Sequence, residues 1–419
     1  RLNEARFAAK AAGFDGAMYP WQSGSDGREE TQTVHLNPRS DRWLPDHSHL
    51  QRHVNAAIAY NVWQHYEATL DLEFMSDHGA EMLFEIARFW VSTTSYNPRI
   101  DRYEIKGVMG PDEYHDSYPD RDQPGLDNNA YTSVMAAWCL CRAVDISERL
   151  PPGRLESLAA AIGLVPDEIE RWQDVSGKLR VVFHDDGIIS QFEGYDALEE
   201  LDWDAYRARY GDIQRLDRIL EAEGGTPNCY KVSKQADVLM LFYLFSAEEL
   251  SALFLHLGYD FATETIPANI DYYRKRTSHG STLSRVVHGW VLSRSDREQA
   301  WRLLREALYS DVADTQGGTT AEGIHLGAMA GTVDAVLRIF TGIETRENIL
   351  WLNPLLPEDL KELRLRLHYR SHELKLYIRR DQIDIESTDF PVLPITIGYR
   401  EKTFVLKPGS SRSIKLQPR

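Results

Sequence analysis

The stretch GVMGPDEYHDSYPD, residues 107–120, contains residue types that could transfer a proton to a substrate. Glycine and proline disfavour a regular helix, so we expect Asp112, Glu113 and His115 to lie on a loop. Tyrosines crowd the same stretch, and desolvation among aromatic rings raises the pKa of a carboxyl group, as a general acid at neutral pH requires. An acidic turn that faces solvent is the alternative interpretation.

An aromatic platform lies upstream, in the segment GAMYPWQS at residues 16–23. Tyr19 and Trp21 offer flat apolar surfaces that suit the C–H face of a sugar ring. The amide of Gln22 offers planar hydrogen-bond partners for hydroxyl groups. The segment therefore indicates a sugar-binding loop, although a tryptophan that covers the edge of the core explains the same residues.

A lysine stands at the start of an apolar stretch in CYKVSKQADVLML, residues 229–241. The pattern predicts a helix over 233–244, which begins with Lys234 and Gln235. A lysine at that end opposes the helix macrodipole, and a bound anion or a hydroxyl-rich ligand would explain it. An ion pair between Lys234 and Asp237 is the alternative.

A turn of small residues leads into a predicted helix in RTSHGSTLSRVVHGW, residues 276–290. Hydroxyl groups, exposed N–H groups and a helix N-terminus together form a ready site for an anion, phosphate especially. A capping loop without any ligand is the alternative. The candidate anion ligands in this turn are Ser278, His279, Ser281 and Thr282.

Other histidines carry weaker signals. His325 lies in GGTTAEGIHLGAMAG, residues 317–331, where it could help to hold an anion or could equally be a core histidine. His47, His49 and His53 are spaced by two and four residues, but the sequence has no HExxH motif and no cluster of cysteines. We therefore expect no metal site.

Composition narrows the class of protein. The chain has 419 residues, a formal net charge of −17 and no long basic run, so we expect neither nucleic acid nor an anionic membrane as a partner. No run of about 18 apolar residues predicts a membrane span. Three scattered cysteines predict reduced thiols in a cytoplasmic protein.

The sequence predicts two kinds of secondary structure around these residues. Helical periodicity dominates residues 1–343, while apolar and polar residues alternate with period two after Gly342. The helical segments show no regular repeat, and their loops are unequal, as in a barrel that carries a site on one face. We predict a mainly α protein: an (α/α)6-barrel domain over 1–343 and a small antiparallel β-sandwich domain over 344–419.

Six segments in this order resemble those of glycoside hydrolase family 65, the disaccharide phosphorylase family that includes kojibiose, trehalose and maltose phosphorylases. They extend from Gly16 to Asp334 and precede the predicted β domain, so the resemblance covers nearly the whole chain. The segments are GAMYPWQS, IAYNVWQHY, GVMGPDEYH with LDNNAYT, KQADV, TSHGSTLS and EGIHLGAMAGTVD.

The resemblance implies a fold. Family members combine an N-terminal β-sandwich, a helical linker, an (α/α)6 barrel and a small C-terminal β-sandwich. This chain opens within the barrel, so we expect the N-terminal sandwich and the first barrel helix to be absent from it. The family's usual homodimer is expected as well.

The resemblance also implies roles for residues. Glu113 matches the general acid that protonates the glycosidic oxygen, and Trp21 is expected in the subsite of the glucosyl unit. Further substrate contacts are expected from Asp112, His115, Lys234 and Gln235. Phosphate is expected against Ser278, His279, Ser281, Thr282 and His325.

The loop at 277–284 favours phosphorolysis because it contains no Asp or Glu, and an inverting hydrolase needs a second carboxylate to activate water. The predicted reaction converts an α-linked glucosyl disaccharide and phosphate into β-glucose 1-phosphate and a free acceptor sugar. We expect no cofactor, with inorganic phosphate as co-substrate. The alternatives are an inverting α-glucosidase or trehalase, and an inactive carbohydrate-binding fragment.

Overall fold

The computed structural model describes residues 1–416 except Arg294, Gly317, Gly318 and Glu347, and it leaves the side chain of Glu322 undescribed. The chain forms two compact units. The first unit contains residues 1–63 and 72–287, and the second contains 64–71 and the chain from His288 onwards. The domain boundary expected at residues 343 and 344 stays a prediction.

The first unit and the start of the second are mainly helical, with three short β-hairpins between helices. The helices are α1 (Leu2–Ala11), α2 (Val54–Thr69), α3 (Leu72–Phe74), α4 (Ala80–Ser92), α5 (Ala130–Arg149), α6 (Pro152–Ile162), α7 (Pro166–Lys178), α8 (Trp203–Tyr210), α9 (Leu216–Ala222), α10 (Val238–Leu244), α11 (Ala247–His256), α12 (Ile266–Arg274), α13 (Thr282–Leu292), α14 (Arg297–Leu308) and α15 (Leu326–Ala335). The hairpins are β1–β2 (Val34–Asn37, Arg42–Pro45), β3–β4 (Thr94–Asn97, Arg102–Ile105) and β5–β6 (Phe183–His184, Ile188–Ile189).

Helix α5 is the centre of the first unit. Its N-terminus is capped by Asn129, whose side chain accepts a hydrogen bond from the backbone N–H of Thr132 at 2.9 Å. Its first eleven residues, 130–140, are all buried, and the helix contacts α4, α7, α10 and α11. Burial on all sides explains why this helix shows little amphipathic pattern.

Residues 48–50 form a single 3-10 turn, and α2 begins at Val54. The helix predicted over 233–244 starts later than the sequence pattern indicated. Residues 233–237 are not helical because their backbone bonds to a distant segment of the chain: the Ser233 N–H donates to the Arg276 carbonyl at 2.8 Å. Lys234 and Gln235 therefore precede α10 instead of opening it.

The end of the second unit is a β-sandwich of two four-stranded sheets. The first sheet has the order β14-β11-β10-β9 and the second β13-β12-β8-β7. Leu350 and Ile397 of one sheet share a buried core with Leu376 and Ile383 of the other. The strands are β7 (Glu344–Arg346), β8 (Ile349–Trp351), β9 (Glu362–Tyr369), β10 (His372–Arg379), β11 (Gln382–Ser387), β12 (Ile395–Tyr399), β13 (Lys402–Leu406) and β14 (Ser411–Lys415).

The predicted β domain is confirmed, with one difference in strand direction. The alternating burial of β10 fits the period-two pattern of its sequence. The pair β8–β12 is parallel, whereas an antiparallel sandwich was expected. The chain builds β9, β10 and β11 of the other sheet between these two strands, and this long crossover lets it re-enter in the same direction.

Within the described part of the chain, no single helix is long and apolar enough to cross a membrane. The bent pair of α10 and α11 passes the same test by length and composition alone, with an angle of 117° between the two helices. Leu239, Leu241, Leu250 and Phe254 of this pair are buried in the first unit.

Candidate active site

Glu113 lies on the predicted loop, in a left-handed backbone conformation with φ of 64°. Its Oε2 oxygen contacts the ammonium of Lys234, and its Oε1 accepts a hydrogen bond from the Gln51 amide at 3.3 Å. The Lys234–Glu113 pair replaces the predicted alternative of a pair between Lys234 and Asp237. The structure thus joins two segments that are 121 residues apart in sequence.

The expectation that the pKa of Glu113 is raised was wrong. Burial raises this pKa, but the Lys234 ammonium, the Gln51 amide and the His53 ring favour the charged form and hold the pKa below its ordinary value of 4.5. The hydroxyl groups of the nearby tyrosines bond to groups other than this carboxylate. The partners are Asp174 for Tyr103, Ser278 for Tyr114 and the Glu193 carbonyl for Tyr118.

Asp112 and His115 form a buried support beneath the loop, each with 1% of its surface exposed. One oxygen of Asp112 accepts from the Lys234 backbone N–H at 2.7 Å, and the other lies 2.6 Å from His115 Nδ1 and 2.9 Å from the Gln191 amide. The other ring nitrogen of His115 lies 2.9 Å from the Tyr230 carbonyl oxygen. Both side chains bond to protein groups through these atoms, and the substrate contact expected from them stays a prediction.

The Trp21 loop is fixed by a close approach to α4. A Cβ atom on Gly16 would lie 2.1 Å from the Glu85 carbonyl oxygen, so only glycine fits there. Downstream, the Tyr19 N–H donates to the Asn55 side chain at 2.7 Å. The partly buried ring of Trp21 then lies 5.3 Å from the ring of His53, measured between centroids.

Gln51 contacts Glu113 and His53 contacts Trp21, and the sequence interpretation named neither of them for this candidate site. Burial lowers the pKa of His53 to about 4, against the opposing pull of Glu113, so the ring is neutral at physiological pH. Its ring also packs against Tyr131, at 5.6 Å between centroids. The signal was present as several polar residues clustered just before an apolar helix, but spacing directed attention to metal ligation instead.

The predicted anion turn lies directly beside Lys234. The Ser278 N–H donates to the Ser233 carbonyl at 2.9 Å, and the Gly280 N–H donates to the Lys234 carbonyl at 2.7 Å. A Cβ atom on Gly280 would lie 2.5 Å from the Gln214 carbonyl oxygen and 2.9 Å from Lys234 Cγ. Glycine at 280 therefore allows the turn to approach the lysine that contacts Glu113.

The four side chains predicted for this turn have different surroundings. The Ser278 hydroxyl lies 2.8 Å from the Tyr114 hydroxyl, which ties the turn to the residue after Glu113. His279 has φ of 57°, and burial lowers its pKa to about 4, with Arg285 acting in the same direction. Ser281 is partly buried, and Thr282 is the first residue of α13.

His325 belongs to the second unit. Its Nδ1 nitrogen lies 2.5 Å from the Asp311 carboxylate. Gly317 and Gly318 of the same predicted segment lie outside the described residues. The proposed part of His325 in holding phosphate stays a prediction.

Gln235 and Asp237 complete the region. The Gln235 amide donates to the Pro111 carbonyl, next to the acidic loop. Asp237 is fully enclosed, and burial together with the nearby charge of Asp112 raises its pKa well above the ordinary 3.8. Five buried side-chain atoms here have no hydrogen-bond partner: Gln51 Oε1, His53 Nδ1, Gln191 Oε1, Gln235 Oε1 and Asp237 Oδ1.

Among the residues that the structure describes, no group of three or more His, Cys, Asp or Glu is arranged to hold a metal ion. Of the three histidines considered as metal ligands, His47 pairs with Asp116 at 2.8 Å, and the His53 ring meets two aromatic rings at an angle.

Two family models match the chain in succession. The glycosyl hydrolase family 65 central catalytic domain matches residues 1–334, and the C-terminal domain of the same family matches residues 343–406. The chain belongs to glycosyl hydrolase family 65. This confirms the family resemblance of the six segments.

The relatives of this family 65 chain include an uncharacterised glycosyl hydrolase and several phosphorylases. An uncharacterised glycosyl hydrolase of Mycobacterium tuberculosis is 54% identical over 96% of this chain and 30% of its own length. A trehalose 6-phosphate phosphorylase of Lactococcus lactis is 38% identical over 91% of the chain and 48% of its own length. A kojibiose phosphorylase of Halothermothrix orenii is 32% identical over 92% and 47%. The chain thus spans about half the length of these phosphorylases.

A solved structure supports the fold. It is described as a proposed kojibiose phosphorylase from the human microbiome, and it matches all of this chain and 56% of its own with a TM-score of 0.80 at 22% identity. At this identity the match concerns the fold alone. It confirms the predicted barrel followed by a small β domain as the architecture of a family 65 chain.

Proposed function

We propose that this family 65 chain carries the catalytic site of an inverting α-glucoside phosphorylase. The observation that carries the proposal is the position of Lys234, which contacts Glu113 by its side chain and the 277–282 turn by its backbone. One segment thereby links a proton donor to an anion-binding turn that has no carboxylate. Phosphate is the nucleophile that such a turn suits.

The reaction follows from this link. Glu113 in its acid form gives its proton to the glycosidic oxygen as the bond from that oxygen to the anomeric carbon breaks. An oxygen of hydrogen phosphate forms the new bond to the anomeric carbon from the opposite face, so an α-glucoside gives β-glucose 1-phosphate. The proton carried by hydrogen phosphate then restores Glu113. Phosphate is already anionic and needs positioning rather than a general base.

The low pKa of Glu113 fits this sequence of events. The carboxylate is ionised beside Lys234 while phosphate is absent. A phosphate dianion beside the turn competes for the Lys234 ammonium and adds a negative charge, and both effects raise the pKa of Glu113. The acid is thus protonated when the nucleophile is bound, which limits unproductive hydrolysis.

Neighbouring groups take supporting roles. We assign the subsite of the glucosyl unit to Trp21 beside His53, where an aromatic face and a neutral ring nitrogen suit a sugar. Gln235 offers an unbonded amide oxygen to a hydroxyl group. Asp112 and His115 are positioning residues that hold the loop of Glu113 on the Lys234 backbone.

The relatives suggest which substrates to test. Their names include phosphorylases of trehalose 6-phosphate, kojibiose and 1,2-α-glucosylglycerol. The full-length protein should be incubated with these compounds and with trehalose, nigerose and maltose, in the presence and absence of phosphate. Phosphate-dependent formation of β-glucose 1-phosphate is the expected result. Glucose released without phosphate would identify a hydrolase, and binding without turnover a carbohydrate-binding fragment.

Substitution of the proposed acid provides the residue-level test. Glu113→Gln keeps the shape but supplies no proton, so turnover should fall by at least about 100-fold. Glu170→Gln is the matched control because Glu170 is an exposed residue of α7. Turnover retained in Glu113→Gln would remove Glu113 as the acid.

The proposal also covers the localisation, cofactor use and oligomeric state of the enzyme. We expect a cytoplasmic enzyme that needs no cofactor and acts as a homodimer. Light scattering of the full-length protein checks the oligomeric state, and a monomer that turns over at the full rate would exclude the dimer as a requirement.

A further inference from the structure

The Tyr114 hydroxyl is a buried point at which three segments of the chain meet. Tyr114 directly follows Glu113 and is 4% exposed. Its hydroxyl oxygen accepts a hydrogen bond from the Leu216 N–H at 3.1 Å, and it lies 3.0 Å from the Gln214 carbonyl oxygen and 2.8 Å from the Ser278 hydroxyl oxygen. One side chain therefore joins the loop of the proposed acid, the start of α9 and the 277–282 turn.

The backbone of the turn already uses its N–H groups at positions 278 and 280. The Ser278 N–H donates to the Ser233 carbonyl at 2.9 Å, and the Gly280 N–H donates to the Lys234 carbonyl at 2.7 Å. Neither N–H group can bond an anion without giving up its protein partner. The donor that residue 278 can offer to phosphate is therefore its side-chain hydroxyl.

The Ser278 hydroxyl has one hydrogen and two nearby oxygens that can receive it. The Gln214 carbonyl oxygen lies 3.1 Å away, and the Tyr114 hydroxyl oxygen lies 2.8 Å away. Tyr114 also has one hydrogen, because burial raises the pKa of its hydroxyl and keeps it protonated. Two hydrogens thus serve three contacts, so the two hydroxyl groups can bond in more than one arrangement.

We infer that Tyr114 is a positioning residue that directs the hydrogen of Ser278 to phosphate. When Tyr114 donates to the Ser278 oxygen, the serine can turn its own hydrogen from the Gln214 carbonyl to a phosphate oxygen. The Leu216 N–H, the tyrosine and the serine then donate in one direction, and each hydrogen bond in such a chain strengthens the next. The inference rests on the proposed function, which assigns phosphate to this turn.

Tyr118 provides a matched control for this contact. It lies on the same loop, and its hydroxyl accepts from the Asp127 N–H at 3.1 Å and donates to the Glu193 carbonyl at 2.8 Å. Tyr114 makes the same two kinds of backbone contact and adds the one to Ser278. Phenylalanine at either position removes the partner of one N–H and one carbonyl, but only Tyr114→Phe removes a contact of the serine.

The test measures phosphorolysis by the full-length protein at varied concentrations of inorganic phosphate. Tyr114→Phe should raise the KM for phosphate by roughly 3- to 10-fold, as expected for the loss of one hydrogen bond, and leave the KM for the sugar unchanged. Tyr118→Phe should change neither value. Ser278→Ala should also raise the KM for phosphate, and the double variant with Tyr114→Phe should show no further rise, because the tyrosine acts through the serine.

Three kinetic outcomes would overturn the inference. One is an equal KM for phosphate in Tyr114→Phe and Tyr118→Phe. Another is a further rise in the double variant as large as the rise caused by Tyr114→Phe alone, which would mean that the tyrosine does not act through the serine. The third is an unchanged KM for phosphate in Ser278→Ala, and this outcome decides the matter even where Tyr114→Phe does not fold.

Turnover that does not depend on phosphate would instead contradict the proposed function. Isothermal titration of inorganic phosphate against the same variants then tests the role of Tyr114 by binding alone. Weaker binding by Tyr114→Phe than by Tyr118→Phe would support the role. Equal binding by both variants, or no binding by the unaltered protein, would exclude it.

Discussion

The ammonium of Lys234 contacts the Oε2 oxygen of Glu113, and the backbone carbonyl of the same lysine accepts a hydrogen bond from Gly280 in the 277–280 turn. A proton donor and an anion site are thus joined through one residue. The state of the acid is therefore coupled to whatever occupies the turn. The proposed mechanism depends on this coupling, which can be measured without turnover.

Binding of phosphate should be accompanied by proton uptake at a slightly alkaline pH, where free phosphate is already the dianion and releases no proton of its own on binding. The pKa of Glu113 is low while Lys234 is its partner, and it rises when a dianion competes for the lysine. Isothermal titration with phosphate in buffers of different ionisation enthalpy measures the protons taken up. We expect uptake in the unaltered protein and a clearly smaller value in Glu113→Gln. Equal uptake in both proteins would assign the proton to another group.

Much of this site could be predicted from the sequence because its residues come in short, unusual segments. Glu113 and the 278–282 turn were identified by residue type and by punctuation with glycine and proline. Their partners could not be found in this way. The contacts of Lys234 with Glu113 and of Tyr114 with Ser278 join segments more than 100 residues apart, and no local pattern encodes such pairs.

The errors share a cause. The helix expected from residue 233 was wrong at its start because Ser233 bonds to a distant strand-like segment, and tertiary pairing overrides local propensity. The raised pKa expected for Glu113 was wrong because the ammonium of Lys234, which is distant in sequence, contacts the carboxyl group and favours its charged form. The parallel pair β8–β12 likewise depends on the path of the chain rather than on alternation.

Replacement of Lys234 by methionine should destabilise the protein more at pH 7 than at pH 4. Folding lowers the pKa of Glu113 below its ordinary value of 4.5. The ion pair with Lys234 therefore stabilises the folded protein above this ordinary pKa, and the stabilisation is lost as the pH falls through the lowered pKa. Without Lys234, a partly buried carboxylate lacks its cation and prefers its proton. The loss at pH 7 should be about 1–3 kcal/mol in the free energy of unfolding.

Urea denaturation of both proteins at the two pH values provides the measurement. Lys275→Met is the control, since Lys275 pairs with Asp271 on the exposed end of α12. An equal loss for Lys234→Met at both pH values would mean that Glu113 does not feel the lysine charge.

Gly280→Ala should weaken the use of phosphate. The new Cβ atom would lie 2.5 Å from the Gln214 carbonyl oxygen, so the turn must move away from Lys234. We expect kcat/KM for phosphate to fall by at least about 10-fold, because the nucleophile is misplaced. Gly153→Ala is the control, since a Cβ atom there meets no atom within 4 Å. Unchanged phosphate kinetics in a folded Gly280→Ala protein would separate the turn from the phosphate site.

Asp237→Asn should stabilise the protein, and more so as pH rises. The pKa of Asp237 is raised well above 3.8 because the residue is buried and faces the charge of Asp112. The folded protein therefore keeps a proton that the unfolded chain releases above about pH 4, so rising pH favours unfolding. Asparagine removes this effect, and its carbonyl oxygen can still accept the hydrogen bond from Asn129. The gain in the free energy of unfolding should grow by up to about 1.4 kcal/mol per pH unit. This holds over the pH range in which the folded unaltered protein keeps the Asp237 proton and its unfolded chain does not. Denaturant unfolding at pH 5 and pH 7.5 measures it, with the exposed Asp260→Asn as control. A gain that stays constant from pH 5 to pH 7.5 would show that Asp237 is already ionised in the folded protein.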